Sequence, residues 1–281
     1  LEKIDTLAYG HAVWHYRLDT PIPVYTMVVG IGRLSRTRLP DVGCAVKCVP
    51  LTVWTFPQDS AYAVSGPFSR AGRIVEYFSS LIGPFPFPSL AHVESSTRFG
   101  GMENSTAIFY DEKRYREKNL GEPVVAHETA HEWFGDAVTE ADWHHLWLSE
   151  GFATYLAALW RLHADGDSAF RAGMQKHADT YFQSQDTGKP ILDTTAKDLL
   201  GLLNSNNYQK GAWVLHQLRG LVGDSAFYSG LRAYYRTYRD STVLSSDFAQ
   251  IMSRAAGRDL DHSTPRNAIA PRNCVTKSST W

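Results

Sequence analysis

No stretch of this 281-residue chain approaches the run of about 18 apolar residues that a helix needs to cross a bilayer. The first ten residues, LEKIDTLAYG, also lack the basic-then-apolar order of a secretory leader. Neither charge is in excess: 28 Lys and Arg stand against 29 Asp and Glu, a net charge of −1. That balance leaves no electrostatic footprint for nucleic acid or for an anionic membrane, so neither partner is expected. Cysteine is scarce, with three in all. Cys44 and Cys48 lie four apart in what reads as a strand, roughly 13 Å if extended, which is too far for a disulfide unless the chain turns between them. Three cysteines fix no redox compartment, and the compartment of the protein stays open.

What the chain does contain is core material. With 43% apolar and 12% aromatic residues it can fill one large domain or two ordinary ones. Residues 24–34 and 44–57 are rich in β-branched and aromatic side chains and read as strands. Helical spacing runs from Ser69 to Ile82 and stops at Gly83, before the proline-punctuated GPFPFPSL. Short strands are expected at 90–95 and 105–110. From Pro123 onward the pattern is almost wholly helical, over 123–135, 149–164, 168–184, 205–222, 224–238 and 245–256. Residues 262–281 carry no acid and few apolar side chains, and are expected to form an unstructured tail.

The stretch VVAHETAHEWFG, residues 124–135, holds the chemistry. Four residues is a little over one helical turn, so His127 and His131 share one face of a helix. Zinc takes imidazole nitrogen at about 2.0–2.1 Å and prefers four tetrahedral ligands, so this pair fills two corners and Glu128 can act on a bound water. A third ligand is required. Glu150 lies in WLSEGFATYLAALW, eighteen residues after His131. That spacing lets the chain leave one helix and return on an antiparallel neighbour, completing a His, His, Glu set with an open fourth position.

HExxH, eighteen residues and then Glu, preceded by GGMEN at 100–104 and followed by YQKGA at 208–212, resembles the aminopeptidase N and leukotriene hydrolase family of zinc aminopeptidases. All four motifs stand in the family's order. The resemblance implies an α+β, thermolysin-like zinc metallopeptidase catalytic domain over 67–261, preceded at 1–66 by the end of an all-β domain. One Zn2+ would be held by His127, His131 and Glu150, with Glu128 as general base on the zinc-bound water. Tyr208 would donate to the oxyanion, and Glu103 would bind the free α-amine of a peptide substrate. Met102 and Asn104 belong to the same substrate-binding motif, and the backbone at Gly100 and Gly101 would run beside the peptide.

The departures from the family are informative too. Ser149 stands where members usually carry Asn, and Ala157 where many carry a glutamate seven residues past the third ligand, so another group must orient the ligands. The family's second amine-binding residue has no counterpart in the sequence, and its longer terminal domains are not matched. Two further readings therefore stay open: a thermolysin-like endopeptidase, which needs no anchor for a free amine, and a non-catalytic remnant that binds peptide or protein. His144 and His145 read as surface or supporting residues rather than ligands, and Trp143, Trp147, Phe152, Tyr155 and Trp160 read as core.

Overall fold

The computed structural model describes residues 2–44 and 47–260. The tail expected at 262–281 lies outside the described residues. A small antiparallel hairpin, β1 (Lys3–Thr6) and β2 (Ala12–His15), opens the chain. Residues 24–34 do not form the expected strand. Val24–Thr26 makes a 3-10 turn and the rest is irregular, with Val24, Met27, Val29 and Ile31 exposed. Pro21 and Pro23 cannot donate to a ladder, and Gly30 packs so tightly on Phe109 that a Cβ there would lie 2.9 Å from the ring. These residues are apolar without being a strand.

A strand that composition does not announce follows, β3 (Ser35–Val42), paired antiparallel with β4 (Val49–Thr55). Its charged and proline residues, Arg36, Arg38 and Pro40, alternate outward, a pattern suited to the sheet edge it occupies. Between the two strands the chain turns: Lys47 N–H donates to Gly43 C=O at 3.1 Å, and Cys44 and Cys48 form a disulfide with Cα atoms 4.0 Å apart. The condition set by their spacing is met.

Helices α1 (Ser60–Ser65) and α2 (Ala71–Leu81) lead to β5 (Leu90–Ser95), β6 (Gly101–Met102) and β7 (Ala107–Asp111). These strands complete a five-stranded mixed sheet in the order β3-β4-β5-β7-β6, so one sheet spans residues on both sides of position 66. β6 is the far edge, paired antiparallel to β7 on one side only. Next come α3 (Glu112–Arg116), α4 (Glu122–His131), β8 (Val138–Glu140), α5 (Trp147–Asp165) and α6 (Asp167–Gln183). A π-turn at Asn206–Lys210 then leads into α7 (Gly211–Val222), α8 (Asp224–Tyr238), β9 (Ser241–Val243) and α9 (Ser245–Ala256). This mixed architecture of sheet and helices agrees with the expected α+β class.

The core behind the site is aromatic. Phe152 of α5 lies 4.8 Å from Phe134 and 5.0 Å from Phe248 between ring centroids, and Tyr234 lies 5.0 Å from Phe248. Such pairs contribute about 0.5–1.5 kcal/mol each beyond their burial, which makes α5 a rigid support. Trp147, Tyr155 and Trp160 are buried as expected, whereas Trp143 is 38% exposed and packs edge-on against Tyr25 at 5.0 Å.

Candidate active site

Helix α4 begins at Glu122 with Pro123 in its first turn, where a missing N–H costs nothing. Its start is tied down: Arg70 donates to both Glu122 carboxylate oxygens at 2.6 and 2.7 Å, and Trp160 Nε1 donates to Oε1 at 2.7 Å. The helix ends at His131 rather than at the expected 135, because the chain turns through Gly135 at φ 134°. A Cβ at Gly135 would sit 2.7 Å from Ser149 Oγ and 3.0 Å from His131 Nδ1. The helix thus stops where α5 must come close.

The three expected ligands converge. His127 Nε2 lies 3.1 Å from His131 Nε2 and 3.2 Å from Glu150 Oε2, and His131 Nε2 lies 3.3 Å from that oxygen. Donors placed tetrahedrally about zinc at about 2.0–2.1 Å would be separated by roughly 3.3 Å, so this triangle has the size and donor chemistry for zinc. Other groups stand near the ring nitrogens of both histidines. The Phe134 carbonyl accepts from His131 Nδ1–H at 3.2 Å, which leaves Nε2 as the lone-pair atom, and Ser149 Oγ lies 3.0 Å from the same Nδ1. Thr154 Oγ1 stands 3.5 Å from His127 Nδ1 on the face left open by Ala157.

Charge is concentrated here. Burial acts against the Glu150 carboxylate, yet His131 and His127 hold it well below the usual range. Burial pushes the Glu128 carboxyl well up, with Glu103 adding to the shift. Burial raises the Glu140 carboxyl to about 8. Glu132, directly after the second histidine, is fully buried and accepts from Thr106 N–H at 3.1 and 3.2 Å, so the end of α4 is pinned to the turn that follows GGMEN.

Gly101 and Met102 are β6 itself, and a Cβ on Gly101 would fall 2.2 Å from Glu128 Oε1. Gly100 is likewise close to Arg114, whose guanidinium would lie 2.5 Å from such a Cβ. Ligand atoms of Glu103, Glu128 and His131 lie within 4.8 Å of one another. Asn104 is turned away: its amide donates to Thr26 C=O at 3.1 Å, and it lines a neighbouring recess instead of the cleft. Tyr208, in the π-turn, stacks on His127 at 5.8 Å between ring centroids and donates to Glu150 Oε1 at 2.5 Å. His144 and His145 stay off the metal site, bound to Asp142 at 2.5 Å and to Ser245 at 2.8 Å.

Sequence reading missed Tyr25, whose hydroxyl donates to Glu103 Oε1 at 3.3 Å, and Arg114, which lines the same cleft beside Gly100. Glu103 and Tyr25 are 78 residues apart, and no local pattern joins them. Tyr25, Glu103, Arg114, His127, Glu128, His131, Glu150 and Tyr208 all line one cleft of about 820 Å³.

A zinc-sized donor triangle beside an unpaired sheet edge is the constellation of a metallopeptidase. A model of the peptidase family M1 domain matches residues 68–265, and the chain belongs to that family. Probable aminopeptidase 2 of Sulfurisphaera tokodaii is 30% identical over 86% of this chain and 32% of its own length. Human glutamyl aminopeptidase is 29% identical over 74% of the chain and 23% of its own length. The crystal structure of an M1 zinc metallopeptidase from Deinococcus radiodurans superposes with a TM-score of 0.80, at 26% identity over 98% of this chain and 60% of that one. The chain thus spans less than half the length of these two curated relatives. Among the described residues, no helix is long and apolar enough to cross a membrane.

Proposed function

We propose that the protein is a zinc aminopeptidase that removes the first residue of peptides carrying a free amino terminus. The observation that carries this reading is Glu103. Its carboxylate lies within 4.8 Å of the ligand atoms of Glu128 and His131, so an ammonium held there leaves room for one residue before the scissile bond. Tyr25 braces the same carboxylate and takes the part of the second amine-site residue sought in the sequence.

The peptide lies along the open edge of β6, where Gly100 and Gly101 let its backbone approach. His127, His131 and Glu150 would hold a zinc ion, which would supply Lewis acidity and bring the pKa of water toward about 7. Glu128, whose burial favours uptake of a proton, accepts one from the attacking water and delivers it to the leaving amine. The Tyr208 phenol turns from Glu150 to donate to the developing oxyanion. Support for the substrate class comes from a Deinococcus radiodurans relative, 26% identical, solved with a Tyr-Ser-Ala substrate.

The test compares matched peptides with free and acetylated amino ends, using the wild type and Glu103→Ala. The free amine is expected to be preferred by on the order of 10²-fold, with most of the difference erased in the variant, because an acetylated end leaves Glu103 desolvated and unpaired. Equal cleavage of both peptides, or cuts at internal bonds, would reassign the protein as an endopeptidase.

A further inference from the structure

Charged groups are ranked along the edge strand β6. Glu103 follows it directly, and one step before Met102 a Cβ on Gly101 would run into the Glu128 carboxylate. One step earlier again, a Cβ on Gly100 would lie 2.5 Å from Arg114 Nη2, 2.8 Å from Nε and 3.0 Å from Cζ. The guanidinium therefore occupies the place where any other residue at position 100 would put its side chain.

The topology accounts for this placement. Gly101 pairs with Tyr110 of β7, so the chain leaves the sheet beside Gly100 and turns at once into α3. The Asp111 carboxylate fixes that turn by accepting from Lys113 N–H at 2.9 Å. Arg114 is the third residue of α3, half-buried, and its side chain lies back over the strand in the wall of the cleft. Among the described residues it makes no ion pair and no side-chain hydrogen bond. Its charge reaches Glu128, where it favours the carboxylate that burial opposes. A guanidinium has five N–H donors and no acceptor, so Arg114 offers the cleft a set of unused donors.

The order of these groups gives a register. A peptide with its amine at Glu103 runs antiparallel to β6, and its first residue ends at the level of Glu128, whose carboxylate lies within 4.8 Å of that of Glu103. One further residue of extended chain, about 3.3–3.6 Å, reaches the level of Gly100. What every peptide presents there is the carbonyl oxygen of the residue after the cleaved bond, an acceptor matched to a charged donor.

We propose that Arg114 is a substrate-binding residue that donates to the main-chain carbonyl of the first residue beyond the cleaved bond, so that Glu103 and Arg114 grip the peptide on either side of that bond. The inference rests on the aminopeptidase reading for the direction of the peptide. It adds a preference for leaving groups that are themselves amino acid residues over other amides of the same first residue.

The experiment uses leucyl-glycinamide, which has this carbonyl, and leucine ethylamide, in which a methyl group replaces the carboxamide. Leucyl anilide is the third substrate, and the enzymes are wild type, Arg114→Met and Arg114→Lys. The two leaving amines differ in basicity, so the readout is the change between enzymes in the kcat/KM ratio of glycinamide to ethylamide. A ratio taken within each enzyme is also independent of any general loss of activity. Arg114→Met keeps a stem without a donor and is expected to lower the ratio by on the order of tenfold, chiefly through KM. Arg114→Lys, which retains a charged donor, should recover part of it. A ratio in Arg114→Met equal to that of the wild type would overturn the proposal, and so would a lysine variant as poor as the methionine one, since the loss would then follow shape and not the donor. Wild-type hydrolysis of the anilide beside either result would leave the aminopeptidase reading standing. Hydrolysis of none of the three substrates by zinc-loaded wild type would remove that reading and the role of Arg114 with it.

Discussion

Gly151 and Gly211 meet backbone to backbone: a Cβ built on Gly151 would lie 2.8 Å from the Cα of Gly211. One of them follows the ligand Glu150, and the other stands three residues after Tyr208. Their contact therefore sets the spacing between the carboxylate and the phenol that donates to it at 2.5 Å. Lys210, the last residue of the same π-turn, donates its Nζ to the Lys189 carbonyl and ties that turn down as well.

Gly151→Ala should accordingly drive the π-turn outward. A displacement near 1 Å at a catalytic group costs about 10²-fold in rate, and overpacking costs about 1–3 kcal/mol of stability even though alanine suits a helix better than glycine. Zinc content should be retained when the π-turn yields and α5 stays in place, because Glu150 then keeps its position beside His127 and His131. Steady-state kinetics and a thermal melt of Gly151→Ala check this, and wild-type kcat would show that the two backbones have room to part.

The proposed metal ligands and the proposed general base make separable demands. Ser149→Ala removes the hydroxyl 3.0 Å from His131 Nδ1, and loss of such supporting groups typically weakens metal affinity by about 10–100-fold. Glu128→Gln leaves every proposed ligand in place and should keep its zinc while losing about 10²–10⁴-fold in kcat. Chelator competition read beside turnover separates the two. Metal loss in Glu128→Gln, or full affinity in Ser149→Ala, would reverse the roles assigned to these residues.

How far the site could be read in advance depended on the range over which its pattern acts. His127 and His131 share a helix face through 3.6-residue periodicity, and Glu150 follows on the adjacent helix, so both were legible. Tyr208 was legible only through its motif: the expectation was one helix over 205–222, whereas the tyrosine sits in a π-turn held by side-chain bonds such as Asn207 to the Leu202 carbonyl at 2.7 Å. β3 was missed because a strand at a sheet edge carries charge on alternate residues and few β-branched ones. Residues 24–34 failed in the opposite sense, apolar without pairing. Tyr25 reaches Glu103 only through the tertiary fold, and nothing within a window of sequence reports that.

Away from the metal, Glu94 gives the fold a pH dependence whose sign can be worked out. The residue is 2% exposed; one carboxylate oxygen accepts from Phe56 N–H at 2.8 Å, while Oε1 has no hydrogen-bond partner among the described residues. Burial raises its pKa from 4.5 to about 7, opposed by the Phe56 bond and reinforced by the Asp59 carboxyl beside it and by Glu112. Between pH 4.5 and about 7 the folded protein holds a proton that the unfolded chain has released, so this group makes stability fall as pH rises through that window. The penalty is fully present above about pH 7 and absent below 4.5. Glu94→Gln keeps an oxygen for Phe56 and gains an amide that can donate toward Asp59, with no charge left to bury. At pH 8 the variant should melt higher than the wild type by about 2–4 °C, the shift that about 1 kcal/mol produces in a domain of this size. At pH 4.5 the difference should vanish. Melting curves of the two proteins across this range decide the matter, and a gap equal at both ends would mean that the substitution acts through packing and not through the proton.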